Sequence, residues 1–155
     1  MYFKERIKEH LKQSDIALFI DMDGVIADYN INGELEFKNK RPLKDNINKI
    51  EQVSKLNGVE VYILSICRRN DQIDDKNKWL DEHAPYFKKE NRIIISKEDH
   101  IGKSSKELKT SLLSYELRNI KDKQIILVDD DNAIIKSIRA DLEDVIVYQD
   151  SILID

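Results

Sequence analysis

Five short apolar runs, rich in β-branched residues, alternate with segments of helical period, and this alternation restricts the fold more than any other feature. The runs are residues 16–20, 59–64, 92–95, 124–128 and 145–148. Each is nearly continuously apolar, as expected of strands covered on both faces. Between them, residues 43–56 place Leu43, Ile47, Ile50 and Val53 on one helical face, and residues 73–84 place Ile73, Leu80 and Ala84. Residues 104–117 carry Leu108, Leu112 and Tyr115 behind a capping-box pattern, Ser104 to Glu107, and residues 132–142 carry Ile134, Ile135, Ile138 and Leu142. Strand and helix in alternation imply right-handed crossovers and a parallel sheet. The expected fold is therefore α/β: a Rossmann-like three-layer sandwich around a central, mainly parallel five-stranded sheet.

At 155 residues the chain predicts one domain over residues 1–155. Phe3, Ile7 and Leu11 predict an N-terminal amphipathic helix within residues 1–14, with Glu5 and Glu9 interrupting its basic face. Residues 29–41 are the one long stretch without periodicity. Asn32-Gly33, flanked by Ile31 and Leu35, predicts a small hairpin there, a short flap containing Lys38, Lys40 and Arg41. A net charge of −4 gives no overall basic footprint for nucleic acid. No apolar stretch approaches the roughly 20 residues that span a membrane. The single cysteine, Cys67, leaves no internal disulfide. With no targeting signal, the expected location is the cytoplasm and no membrane partner is expected; oligomeric state is not legible.

In a parallel sheet all strands end at one edge, where α/β folds bind ligands. The first run ends on Asp21-Met22-Asp23-Gly24, the second on Ser65 followed by Cys67, Arg68 and Arg69, the third on Ser96 and Lys97, and the fourth on Asp129-Asp130-Asp131. Gly102-Lys103 stands just before a predicted helix. Crowded carboxylates repel: at ~4 Å a like-charged pair costs about 4 kcal/mol at an effective dielectric near 20. They must share a proton or bind a cation. Oxygen-only ligands suit Mg²⁺, which takes a phosphate oxygen as a further ligand. A hydroxyl and an ammonium opposite would hold the remaining phosphate oxygens. Asp131 reads as the cap of the next helix, Cys67 and Trp79 as packing residues. Arg68 reads equally as a solvated loop residue or as a phosphate contact.

The ordered set Asp-x-Asp, Ser, Lys and acidic pair resembles the four motifs of the haloacid dehalogenase (HAD) superfamily, mostly phosphatases, over residues 16–148. Residues 21–28, Asp-Met-Asp-Gly-Val-Ile-Ala-Asp, look like the start of the 5′(3′)-deoxyribonucleotidase group, and residues 78–94 are similar to its segment before strand three. That group carries a helical cap after the first motif, for which only residues 29–41 are available here. The resemblance implies a Mg²⁺-dependent phosphomonoesterase with Asp21 as nucleophile and Asp23 as general acid and base. Mg²⁺ would be held by Asp21, the Asp23 carbonyl and Asp130, with Asp129 beside it. Ser65 and one lysine, Lys103 or alternatively Lys97, would bind the phosphoryl oxygens. The substrate would be a nucleotide or an exposed nucleic-acid end. Two other readings of the residues stay open: a non-catalytic binding or regulatory protein on the same scaffold, and a phosphorylatable receiver-like module.

Overall fold

The computed structural model describes residues 2–29 and 36–154. Five strands, β1 (Asp15–Ile20), β2 (Val59–Cys67), β3 (Arg92–Ser96), β4 (Lys123–Asp129) and β5 (Val145–Gln149), form one sheet in the order β3-β2-β1-β4-β5, every pair parallel. The helices are α1 (Phe3–Leu11), α2 (Lys44–Ser54), α3 (Asp71–His83), α4 (Ser105–Asn119) and α5 (Asn132–Asp141). The Rossmann-like α/β sandwich expected from the alternation is the fold observed. The hairpin expected at Asn32-Gly33 lies outside the described residues.

Successive strand residues point to opposite faces, and the core divides accordingly. Ile16, Leu18 and Ile20 of β1 pack with Phe3 and Ile7 of α1, Ile47, Ile50 and Val53 of α2, and Trp79 and Leu80 of α3. Ala17 and Phe19 face the other way, onto Leu113 of α4 and Ile134, Ile135 and Ile138 of α5. The same parity assigns the strand ends. Asp21 continues the Ala17–Phe19 series, and Asp129 continues Ile125–Leu127, so both carboxylates lie on the α4 side. Ser65 continues Val61–Ile63, so it lies on the α3 side. Register supplies the rest: Ile20 pairs with Val128 and with Ile63, which sets Asp21 beside Asp129 and brings Ser65 just beyond them.

Two details depart from the sequence reading. β2 runs through Ser65 to Cys67, so Ser65 is the third residue from the strand's end rather than the first beyond it. On α4 the inward residues are Leu108, Lys109 and Leu113, while Tyr115, expected inside, is exposed. A lysine on that buried face is what disguised its true orientation.

Candidate active site

Gly24 makes the turn that follows β1. Its φ is +80°, and a Cβ there would collide with the Asp130 carboxylate, so both the backbone and the space call for glycine. Asp21, Asp129 and Asp130 each offer a carboxylate oxygen within 4.8 Å of the others. Asp129 is fully buried; its Oδ1 accepts from the Asp131 backbone N–H at 3.0 Å. The Asp131 side chain accepts from Ala133 and Ile134 N–H and so caps α5.

Lys109 reaches this group from α4. Its Nζ donates to Asp129 Oδ2 at 2.7 Å and to Asp21 Oδ1 at 2.9 Å. Burial pulls its pKa down, but Asp21 and Asp129 outweigh burial and raise it, so it stays an ammonium. One ammonium cannot compensate two buried carboxylates. Burial pushes Asp21 up to about 8, against the pull of Lys109 and with help from Asp129 and Asp130. Asp130 is also raised by burial, against a hydrogen bond shared with Asp21. Both carboxyls therefore hold a proton more tightly than an ordinary aspartate does.

The α3 side is built differently. Lys76, 3% exposed, donates to Ser65 Oγ at 2.6 Å, to the Ile66 carbonyl at 3.0 Å and to Asp23 Oδ2 at 3.2 Å. Lys40, from the end of the flap, holds the other oxygen of Asp23. Burial pushes Asp23 up, but the two lysines outweigh it and hold the carboxyl below its usual range. Lys40 is itself fixed: its carbonyl accepts from Trp79 Nε1 at 3.0 Å, and its ammonium lies 4.7 Å from the centre of the Phe37 ring, which meets Trp79 edge-on. The other flap cations are also paired, Lys38 with Glu36 and Arg41 with Asp28.

A cavity of about 280 Å³ opens over this edge, lined by Asp21, Asp23, Ile66, Lys109, Asp129 and Asp130, with Tyr29 at its rim. A wider depression beside Arg41 and Lys44 contains none of the carboxylates. Of the residues singled out from sequence, Asp21, Asp23, Asp129 and Asp130 line the cavity, and Ser65, fully buried, is joined through Lys76 to Asp23 and the Ile66 carbonyl of the lining. Lys103 does not come to it: its side chain is exposed, faces Glu107 at 3.8 Å, and lines a separate groove between α4 and α5. Lys97 sits on a 3₁₀ turn, Lys97–Asp99, away from the cavity lining, and Arg68 is an exposed loop residue whose N–H is tied to Gln72. The ammonium at the carboxylates is Lys109, and a second, Lys76, stands at Ser65. Both were overlooked in the sequence. The signal existed, since each occupies a position where the helical stripe asks for an apolar residue: Lys76 between Ile73 and Leu80, Lys109 beside Leu108 and Leu113.

A parallel sheet presenting an acidic and lysine-lined edge is the arrangement that the resemblance to the HAD superfamily leads one to expect. The chain belongs to the family described as 5′ nucleotidase, deoxy (pyrimidine), cytosolic type C protein, which matches residues 29–149. No curated protein sequence matches it. Among solved structures, the chain is similar to one in an RNA repair complex of Pnkp1, Rnl and Hen1, with 16% identity and a TM-score of 0.65 over 88% of this chain and 42% of that one. It is also similar to the N-terminal part of a Bacteroides fragilis protein containing a phosphatase domain complexed with Mg, with 15% identity and a TM-score of 0.60 over 92% of this chain and 38% of that one. A class C acid phosphatase from Bacillus anthracis with tungstate bound is similar at 15% identity and a TM-score of 0.57, over 96% of this chain and 75% of that one. The chain thus spans less than half the length of the first two structures. Among the described residues no helix is long and apolar enough to cross a membrane.

Proposed function

We propose that this protein is a Mg²⁺-dependent phosphomonoesterase that works through an aspartyl-phosphate on Asp21 and acts on a nucleotide-like phosphate. The observation that carries the reading is Asp21 itself: a buried carboxylate facing the cavity, beside Lys109, Asp129 and Asp130. Three crowded carboxylates, all hard oxygen donors, are a donor set that fits Mg²⁺. Asp21, Asp130 and the Asp23 carbonyl would hold it, with Asp129 adjacent. When bound, the cation supplies the positive charge that keeps Asp21 ionised and offsets the charge of the phosphoryl oxygens.

The chain's own residues account for the rest. Asp21 attacks phosphorus, and the bond to the leaving oxygen breaks. Asp23 gives that oxygen a proton, then takes one from the water that attacks the phosphorylated Asp21, releasing inorganic phosphate. Asp23 is held ionised by Lys40 and Lys76 in the substrate-free protein. A phosphoester dianion arriving beside it competes for Lys40 and, by its charge, raises the proton affinity of Asp23. Lys109 takes the role that the sequence suggested for Lys103 or Lys97, and Ser65 offers a hydroxyl to a phosphoryl oxygen.

A nucleic-acid end is a second reading of the substrate, supported by the similarity to a chain of an RNA repair complex and by the absence of a helical cap among the described residues. Against it, all three flap cations are already paired. The test is a Mg²⁺-dependent phosphatase assay over mononucleotides, phosphorylated oligonucleotides and sugar phosphates, repeated on Asp21→Asn. Turnover that survives in the variant would exclude this nucleophile.

A further inference from the structure

The steps above use Lys76 only to hold Asp23 ionised, yet it is among the most enclosed polar groups of the described residues. An ammonium has three protons, and Ser65 Oγ, Asp23 Oδ2 and the Ile66 carbonyl use all three. A hydroxyl has one proton and two acceptor lone pairs. Contact with a group that can only donate occupies a lone pair of Ser65 and leaves its proton unspent. Ser65 is fully buried, and among the described residues no acceptor takes that proton. A buried donor left unmatched is costly, and an anionic oxygen beside it removes that cost. The Ile66 and Asp23 neighbours on either side both face the cavity.

We propose that Lys76 is the positioning residue of the phosphoryl site: it holds Ser65 so that the hydroxyl proton faces the phosphoryl oxygen, and ties Ser65 to Asp23, without touching the phosphoryl group itself. The proposal rests on the phosphomonoesterase reading. It separates the two buried lysines by task. Lys109 lines the cavity and can meet a ligand directly. Lys76 lies behind the wall with no proton to offer.

The test is a double-mutant cycle of Lys76→Met and Ser65→Ala, with Mg²⁺ at saturation, read as kcat/KM on an aryl phosphate and as affinity for inorganic phosphate. Each single change should lower kcat/KM by about 10–100-fold, the range found when a residue orienting a ligand-binding group is lost. If Lys76 works through Ser65, the double variant falls no more than about threefold below the worse single, whereas independent effects multiply. Multiplication in both readouts overturns the proposal, as does Lys76→Met matching wild type in both while remaining folded by thermal melting. Should Lys76→Met fail to fold, the wild-type protein crystallised with Mg²⁺ and orthovanadate decides. Ser65 Oγ in hydrogen-bond contact with a vanadate oxygen, and Lys76 still on Ser65, supports it. Lys76 Nζ bonded to vanadate, Ser65 turned away, or no vanadate in the site overturns it. The complex and the phosphate affinities read the geometry without turnover. An inactive protein that shows this geometry therefore refutes the phosphatase reading and leaves the role of Lys76 standing.

Discussion

The two sides of the acidic sheet edge are neutralised in opposite ways. On the α4 side, one ammonium, Lys109, serves two buried carboxylates with a third beside them, and Asp21 is pushed up to about 8. On the α3 side, two ammonium groups, Lys40 and Lys76, serve the single carboxylate of Asp23 and hold it below its usual range. The first half is short of positive charge and the second has it in excess. On the proposed function a divalent cation would complete the first and a phosphoryl dianion the second, so that one small site would order both ligands side by side.

The comparison is broken most severely at Asp21. Asp21→Asn should lower kcat by a factor on the order of 10³ or more, because an amide cannot carry the phosphoryl group; steady-state rates on an aryl phosphate check it. Lys109→Met strips the charge-poor half of the ammonium that the described residues give it. Leaving a buried carboxylate pair without its cation should cost about 3–5 kcal/mol, seen as a lower urea midpoint, with part of the loss restored by added Mg²⁺. Asp23→Asn breaks the other half. It should slow alkyl phosphates by about 10²–10⁴-fold and aryl phosphates much less, since aryl oxygens depart without a proton. Equal losses would remove Asp23 from that role.

Legibility in the sequence followed the same division. Strand parity and register are set by apolar runs, so the placement of Asp21, Asp129 and Ser65 at one edge could be read directly. The two buried lysines could not be read by the usual rule that a charged residue marks the solvent face of a helix. Lys109 sits among Leu108, Leu112 and Leu113, and Lys76 between Ile73 and Leu80, so each is a charge inserted into an apolar stripe. Such a residue is stable only with a partner on another element, and that partner is invisible until the sheet is assembled. Lys103 was attractive because it stands at a helix start. There it is exposed and, among the described residues, its ammonium faces Glu107. The flap misled in a similar way: its three cations read as a basic patch but pair with Glu36, Asp23 and Asp28.

Smaller effects sharpen the contrast. In metal-free protein Asp21 is raised from its ordinary 3.8 to about 8, so the folded state binds more protons than the unfolded state between those values. Its contribution to stability is intact below about 4 and is lost as pH rises toward about 8. Asp23 has the opposite sign: lowered in the fold, it stabilises above its ordinary range, and that contribution is lost as pH falls through its depressed value. Urea midpoints across pH should show Asp21→Asn flattening the upper window and Asp23→Asn the lower one. The smallest effect expected is at the flap surface, where Lys38→Ala removes an exposed pair with Glu36 and should change stability by less than about 0.5 kcal/mol. It should also leave kcat/KM on phosphorylated oligonucleotides unchanged.

The charge deficit on the α4 side can be measured by titrating the protein with Mg²⁺ at pH 7 in two buffers of different ionisation enthalpy, which counts the protons released on binding. With Asp21 raised to about 8 and a bound cation displacing its proton, about one proton should leave for each Mg²⁺ bound at pH 7, and affinity should rise between about pH 6 and pH 8. Binding with no proton release and an affinity independent of pH would show that the carboxylates are already ionised, and would contradict the account.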